Sequence, residues 1–152
     1  MSKILFVSSA GGHFAELMQL KETMNAHDSI IVTEGVSSSF DNKDIKYFLK
    51  YGSRSQTFKY MFIFIYNFFL TFKILFKEKP DCIISTGAHS CVTFFVLGKL
   101  FKCKLIYIES FAKVDKPSLT YKIIHKFCDV IYVQHKEMLD VYKDAIYIGG
   151  LY

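Results

Sequence analysis

Two short glycine turns carry the first chemical signal in this chain. Ser9-Ala10-Gly11-Gly12-His13 follows the apolar run Ile4 to Val7, and Thr86-Gly87-Ala88-His89-Ser90 follows Asp81-Cys82-Ile83-Ile84-Ser85. Glycines let a ligand come close to the backbone, and a helix beginning there offers free N–H groups to an anion. Together, Gly11, Gly12, Thr86, Gly87 and Ala88 are candidates for cradling a diphosphate. The competing reading is that each glycine only permits a tight turn. His13, at the start of the first helix, is a candidate general base for a hydroxyl, or alternatively a phosphate ligand or cap. Glu109 ends the run Tyr107-Ile108-Glu109. A carboxylate at that position needs a partner, either a sugar hydroxyl or the loop from Phe111 to Lys116.

Several chemistries are excluded. The first turn lacks the GxGxxG spacing of dinucleotide sites, and no GKS or GKT marks a P-loop. No His/Cys/Asp set has metal-ligand spacing, so no metal and no cofactor are expected on this chain. The four cysteines form neither a CxxC pair nor a dense disulfide pattern, which suits reduced thiols in the cytosol. Lysines are scattered and Arg54 is the lone arginine, so nucleic acid is a poor partner.

These residues need a frame. Apolar strand-like runs at 4–7, 29–33, 45–49, 81–85, 104–108, 129–133 and 145–148 alternate with helical patterns at 14–24, 57–77, 92–101, 118–127 and 136–142. The polar stretches 34–44 and 51–55 read as loops. Apolar strands separated by helices predict an α/β fold: one doubly wound, mostly parallel sheet, Rossmann-like, covered on both faces. Both glycine turns and the 109–116 loop follow strands. All three therefore belong on the carboxyl edge of the sheet, where such folds bind ligands. The length of 152 residues fits one domain, and 51% hydrophobic against 22% charged residues excludes disorder.

The helix at 57–77 stands apart, since Phe58 to Phe76 is nearly all apolar. It is long enough to span a bilayer, yet as a crossover within one sheet it cannot separate its flanking strands across a membrane. Lys59, Tyr66 with Asn67, Lys73 and Lys77 form a narrow polar stripe. A second apolar face, assigned to Phe64, Phe68, Phe72 and Leu75, reads as a surface pressed into lipid or into another protein. The net charge of +5 suits anionic headgroups. The opening residues Met1 to Ser9 do not read as a signal peptide.

The order of these blocks resembles a known family. Gly11-Gly12-His13, Pro80-Asp81 before Ile84-Ser85-Thr86-Gly87-Ala88, Tyr107-Ile108-Glu109-Ser110-Phe111-Ala112-Lys113-Val114, Cys128-Asp129-Val130-Ile131-Tyr132-Val133-Gln134 and Ala145-Ile146-Tyr147-Ile148-Gly149-Gly150 are similar to the small subunit of two-chain GT-B glycosyltransferases. That family includes the membrane-anchoring subunit of the dolichol-pathway GlcNAc transferase and bacterial capsule or exopolysaccharide counterparts. The chain also looks similar to the N-terminal half of the single-chain GlcNAc transferase of peptidoglycan synthesis. The resemblance implies a single acceptor-side domain over 1–152, equivalent to a GT-B N-terminal half. It implies a polyprenyl-diphosphate-linked saccharide at the glycine turns, and a donor-binding partner subunit that holds the UDP-sugar. It further implies a heterodimer on the cytoplasmic face of the membrane, with little activity in the lone chain. The final strand and Gly149, Gly150, Leu151 and Tyr152 are the expected partner contact. The eukaryotic subunit's N-terminal transmembrane helix has no counterpart here, which leaves the 57–77 helix as the candidate membrane contact. The rival expectation is a membrane scaffold whose turns bind nothing.

Overall fold

A computed structural model describes residues 1–35, 45–52, 57–142 and 144–152. Most of the polar stretch after Glu34 and the loop around Arg54 lie outside the described residues. The elements are β1 (Lys3–Ser8), α1 (Gly12–Met18), α2 (Lys21–Ala26), β2 (Asp28–Gly35), β3 (Ile45–Lys50), α3 (Thr57–Glu78), β4 (Cys82–Gly87), α4 (Val92–Leu100), β5 (Lys104–Ile108), α5 (Leu119–Ile124), β6 (Val130–Val133) and β7 (Ile146–Tyr147). The strands form one sheet in the order β3-β2-β1-β4-β5-β6-β7. Every described pairing is parallel.

Apolar residues line both faces because helices cover both. Leu5, Val7, Ile30, Val32, Ile83, Leu105, Ile131 and Val133 pack against α3, α4 and α5. Alternate residues, Ile4, Phe6, Ile31, Ile84 and Ile108, meet Phe14, Leu17 and Met24 of α1 and α2 on the other side. This period-2 division is what near-continuous apolar strands require.

The helices differ from the sequence pattern in four places. The helix expected over 14–24 breaks after Met18: Gln19 and Leu20 donate back to Glu16 and Leu17 in tight turns, and Leu20 redirects the chain into α2. The break lets Leu17 and Met24 both reach the sheet. The 118–127 helix ends at Ile124 and continues as a 3₁₀ turn, and 136–142 is a 3₁₀ turn over Lys136–Asp140.

The fourth difference concerns which way α3 faces. Leu75 is wholly buried against the sheet and Phe68 packs partly into the same core, so neither belongs to an outer surface. Asn67 is buried too. Its side-chain oxygen accepts from the Lys50 N–H at 3.0 Å and its amide donates to the Lys50 carbonyl at 2.9 Å, riveting α3 to the end of β3. The outward face is rotated toward Phe58, Phe62, Ile65, Phe69, Phe72 and Phe76, with Phe62 and Phe69 each 67% exposed. Of the four residues assigned from sequence, Phe72 sits centrally on this face and Phe64 at its margin.

Candidate functional site

The three loops meet at the carboxyl edge of β1, β4 and β5, as the parallel order demands. The glycine turns are bonded to each other: the Ser9 N–H donates to the Gly87 carbonyl at 2.9 Å, and the Ala88 N–H to Ser9 Oγ at 3.1 Å. His13 joins them from the other side. Its Nδ1 lies 2.9 Å from the Thr86 carbonyl, while Thr86 Oγ1 donates to the His13 carbonyl at 2.7 Å. A carbonyl only accepts, so Nδ1 carries a proton, and whenever the ring is uncharged its lone pair is on Nε2. That is the tautomer a general base requires.

Gly11 and Gly12 are exposed, and a Cβ on either would meet nothing within 4 Å. Gly11 needs glycine for its φ of 80°, whereas no such positive φ constrains Gly12. Gly87 has φ 98°, and a Cβ there would stand 3.2 Å from His13 Nδ1. Gly87→Ala is therefore expected to cost about 1–3 kcal/mol of stability and to push the His13 ring off Thr86. Urea denaturation measures the first effect, and the His13 ring signals in an NMR spectrum report the second.

One sequence expectation changes here, and one that was left open between two alternatives is decided. Thr86 is fully buried with its hydroxyl and carbonyl both spent on His13, so it positions that ring and does not line the cleft. Glu109 is 2% exposed and is enclosed by its own loop. One carboxylate oxygen accepts from Tyr107 OH and the Ser110 N–H, both at 3.0 Å; the other accepts from Ser118 Oγ at 2.7 Å and Tyr142 OH at 2.5 Å. Burial, with the Glu109 charge adding to it, drives both phenols well above the ordinary tyrosine range, so they remain donors. With four donors in place, Glu109 fastens the third loop and has no oxygen left for a sugar.

Two further carboxylates were not singled out from the sequence. Glu16 is buried on α1, one turn beyond His13. Its Oε1 accepts from Ser110 Oγ and the Phe111 N–H, both at 3.0 Å, and its Oε2 lies 4.0 Å from His13 Nδ1. The i, i+3 spacing from His13 was the readable signal. Glu34, at the end of β2, receives the Ala10 N–H and lies 3.5 Å from His89 Nε2, linking both glycine turns. Burial pushes its carboxyl up to about 7, against the lowering effect of the Ala10 bond. His89 in turn packs on Tyr60 of α3, ring centroids 5.6 Å apart. The aromatic helix therefore abuts the second turn.

The tail folds back over the same edge. Gln134 bridges it, its amide donating to the Glu109 carbonyl and its oxygen accepting from the Leu151 N–H, both at 2.9 Å. Leu151 is half-buried on the sheet and Tyr152 packs edge-on against Phe111, so the tail is partly seated in its own fold. Ile148 and Tyr152 keep most of their surface exposed. Beside the tail, Ile84, Ile106, Ile108, Tyr132 and Leu20 line an open apolar groove of about 310 Å³. Among the described residues no cluster has the makeup of a metal site.

Known proteins are similar to this chain in sequence and in fold. The family profile described as "Oligosaccharide biosynthesis protein Alg14 like" matches residues 54–151. The human UDP-N-acetylglucosamine transferase subunit ALG14 is 25% identical over 177 aligned positions, spanning 97% of this chain and 82% of that protein. Its Schizosaccharomyces pombe counterpart is 41% identical over 75 positions, 46% of this chain and 36% of that one. Among solved structures, Acinetobacter baumannii MurG superposes with a TM-score of 0.74 at 10% identity, covering 99% of this chain and 46% of that one. UDP-N-acetylglucosamine 2-epimerase from Rickettsia bellii gives 0.73 at 18% identity, covering 99% and 45%. The chain thus spans less than half the length of these solved proteins, and the likeness is one of fold: a Rossmann-like domain of the kind that forms the N-terminal half of GT-B glycosyltransferases. The matched segment is well over half of the chain and takes in the second glycine turn and the Glu109 block, and the chain belongs to the Alg14-like family of oligosaccharide biosynthesis proteins.

Proposed function

We propose that this chain is the acceptor-side subunit of a two-chain glycosyltransferase. It binds a polyprenyl-diphosphate-linked saccharide at Gly11, Gly12 and Ala88, while Gly87, buried with its N–H on Ser85 Oγ and its carbonyl on the Ser9 N–H, shapes the turn behind them. A separate donor-binding chain brings the UDP-sugar across the cleft. The related proteins named as UDP-N-acetylglucosamine transferase subunits make UDP-GlcNAc the first donor to try. His13 Nε2 is the base or phosphate ligand, held by Thr86 and Gly87. The partner docks beside Gly149 to Tyr152, where Ile148, Tyr152 and the apolar groove offer contact. The work is done at the cytoplasmic face of the membrane. Helix α3 lies along that surface, and its Tyr60 end touches the second turn, which keeps the cleft next to the lipid that carries the acceptor.

The carrying observation is Gly12. It has no Cβ, yet no residue of this chain occupies the space a Cβ would take. Packing gives no reason for a glycine there; close approach of a ligand does.

The test is transfer by the copurified pair, from UDP-GlcNAc to a short-chain polyprenyl-diphosphate-GlcNAc in detergent. Gly12→Ala should leave the melting temperature and partner binding unchanged while raising the acceptor KM. His13→Ala should lower kcat/KM by about 100-fold or more. Full activity in both variants would sink the cleft reading and leave a scaffold. Equal activity of the lone chain and the pair would sink the two-chain reading.

A further inference from the structure

The outer surface of α3 is apolar along its whole length, but its charge is one-sided. From Phe58 to Lys77 the helix has no acidic residue. On a helical projection, Phe58, Phe62, Ile65, Phe69, Phe72 and Phe76 run down the middle of the exposed arc, while Lys59, Tyr66, Lys73 and Lys77 fall along a single flank. That flank borders β3, whose Lys46 and Lys50 extend the row. Lys50 Nζ stands 3.9 Å over the Tyr66 ring, and Lys77 Nζ lies 5.9 Å from the Tyr47 ring centre. Aromatic rings thus hold two of the cations beside the helix. Glu78 is the acid nearest the row in sequence. It is buried and already bonded to Tyr47 and paired with Lys46 at 3.0 Å and Lys3 at 3.5 Å. Among the described residues the opposite flank has no such row: there Phe72 packs edge-on with Phe101 of the α4 end, ring centroids 5.6 Å apart, Leu100 is exposed, and Lys102 is a single neighbouring cation.

We infer that the β3 side of α3 is a docking strip for anionic phospholipid headgroups, with the Phe58–Phe76 face immersed and Lys50, Lys59, Lys73 and Lys77 at phosphate level. This rests on the reading of α3 as the membrane contact and adds the lipid class and the sidedness. A helix of 22 residues, about 33 Å long, lying flat presents its lysines to a row of headgroups at once. Aromatic side chains alone would bind any bilayer; lysines along one edge add attraction only where the surface is negative. They also set the roll of the domain about the helix axis, because the β3 side must stay at the headgroups.

The experiment is vesicle cosedimentation of the full chain with phosphatidylcholine alone and with about one-third phosphatidylglycerol. Wild-type protein should bind the anionic vesicles more tightly, and the preference should fade with salt. Lys59→Gln with Lys73→Gln removes two exposed lysines for which no packing role is seen. It should weaken binding to anionic vesicles about 20-fold, near fivefold per lysine, and leave binding to neutral vesicles as it was. Lys21→Gln with Lys136→Gln removes the same charge far from the strip and should change little. Phe62→Ser with Phe69→Ser should abolish binding to both vesicles.

The outcomes separate. If the Phe variant binds like wild type, or a stable dimer in solution binds no vesicles, α3 is not a membrane contact. If the Phe variant loses binding but wild type shows no preference for anionic vesicles, the membrane contact stands and the headgroup strip is overturned. Equal weakening by the two lysine pairs also overturns the strip, since net charge alone would then explain the preference.

Discussion

Glu109→Ala is expected to lower the unfolding free energy by about 3–5 kcal/mol, the largest loss from any single side chain at this sheet edge. The carboxylate is the common acceptor for Tyr107, Tyr142, Ser118 and the Ser110 N–H. Removing it strands these donors where water has little access, and each stranded group costs about 1–3 kcal/mol before relaxation. Glu109→Gln should fall between, because an amide oxygen replaces one acceptor while its NH₂ confronts donors. Urea denaturation gives the comparison. Tyr142→Phe should cost less in the Glu109→Ala background than alone, since the bond it removes is already gone. A Glu109→Ala protein within 1 kcal/mol of wild type, by the ~1–3 kcal/mol scale for stranded donors, would show that the loop is held by something else.

The second large effect depends on pH. Glu34 titrates at about 7 in the folded chain against 4.5 ordinarily, chiefly because burial disfavours its charge. Folding therefore takes up a proton between these values. Below the lower value both states are protonated and the group is neutral toward stability. As pH rises toward 7 the unfolded chain gains a solvated carboxylate that the folded chain resists, so stability falls, then levels off. At about 1.4 kcal/mol per pH unit the interval is worth on the order of 3 kcal/mol. Glu34→Gln should remove that slope. The variant keeps an oxygen for the Ala10 N–H, matches wild type near pH 4.5 and exceeds it by a few kcal/mol at pH 8. Thermal melts at the two pH values test this, and parallel curves for the two proteins across the range would refute it.

Both residues bear on what could be read in advance. Glu109 stood out because an acid closes an apolar strand. Glu34 has the same signature after Ile30-Ile31-Val32-Thr33, yet it lies at the border of a polar stretch and merges with it. The partners of Glu109 are a harder matter: Tyr142 is far along the chain and reaches it only because β5 and β6 are neighbours. Glu16 looked like an ordinary surface acid on a helix. Its burial comes from the third loop closing over α1.

Helix α3 marks another limit. When nearly every position is apolar, periodicity gives the width of the buried arc poorly and its direction hardly at all. Asn67 looked like part of the solvent stripe, but the free backbone groups at the end of β3 draw it inward. That one contact rotates the expected outer face from Leu75 and Phe68 toward Phe62 and Phe69.

From residue order alone came the parallel α/β architecture, the strands, the placement of both glycine turns and the third loop on one edge, and the family. Those follow from local periodicity and from the rule that parallel strands put their carboxyl ends together. Only the tertiary structure decided that Thr86 serves His13, that Glu109 is spent on its own loop, and which face of α3 looks outward. Those depend on contacts between segments far apart in sequence, where the nearest donor or apolar neighbour, and not the residue's own type, sets the role.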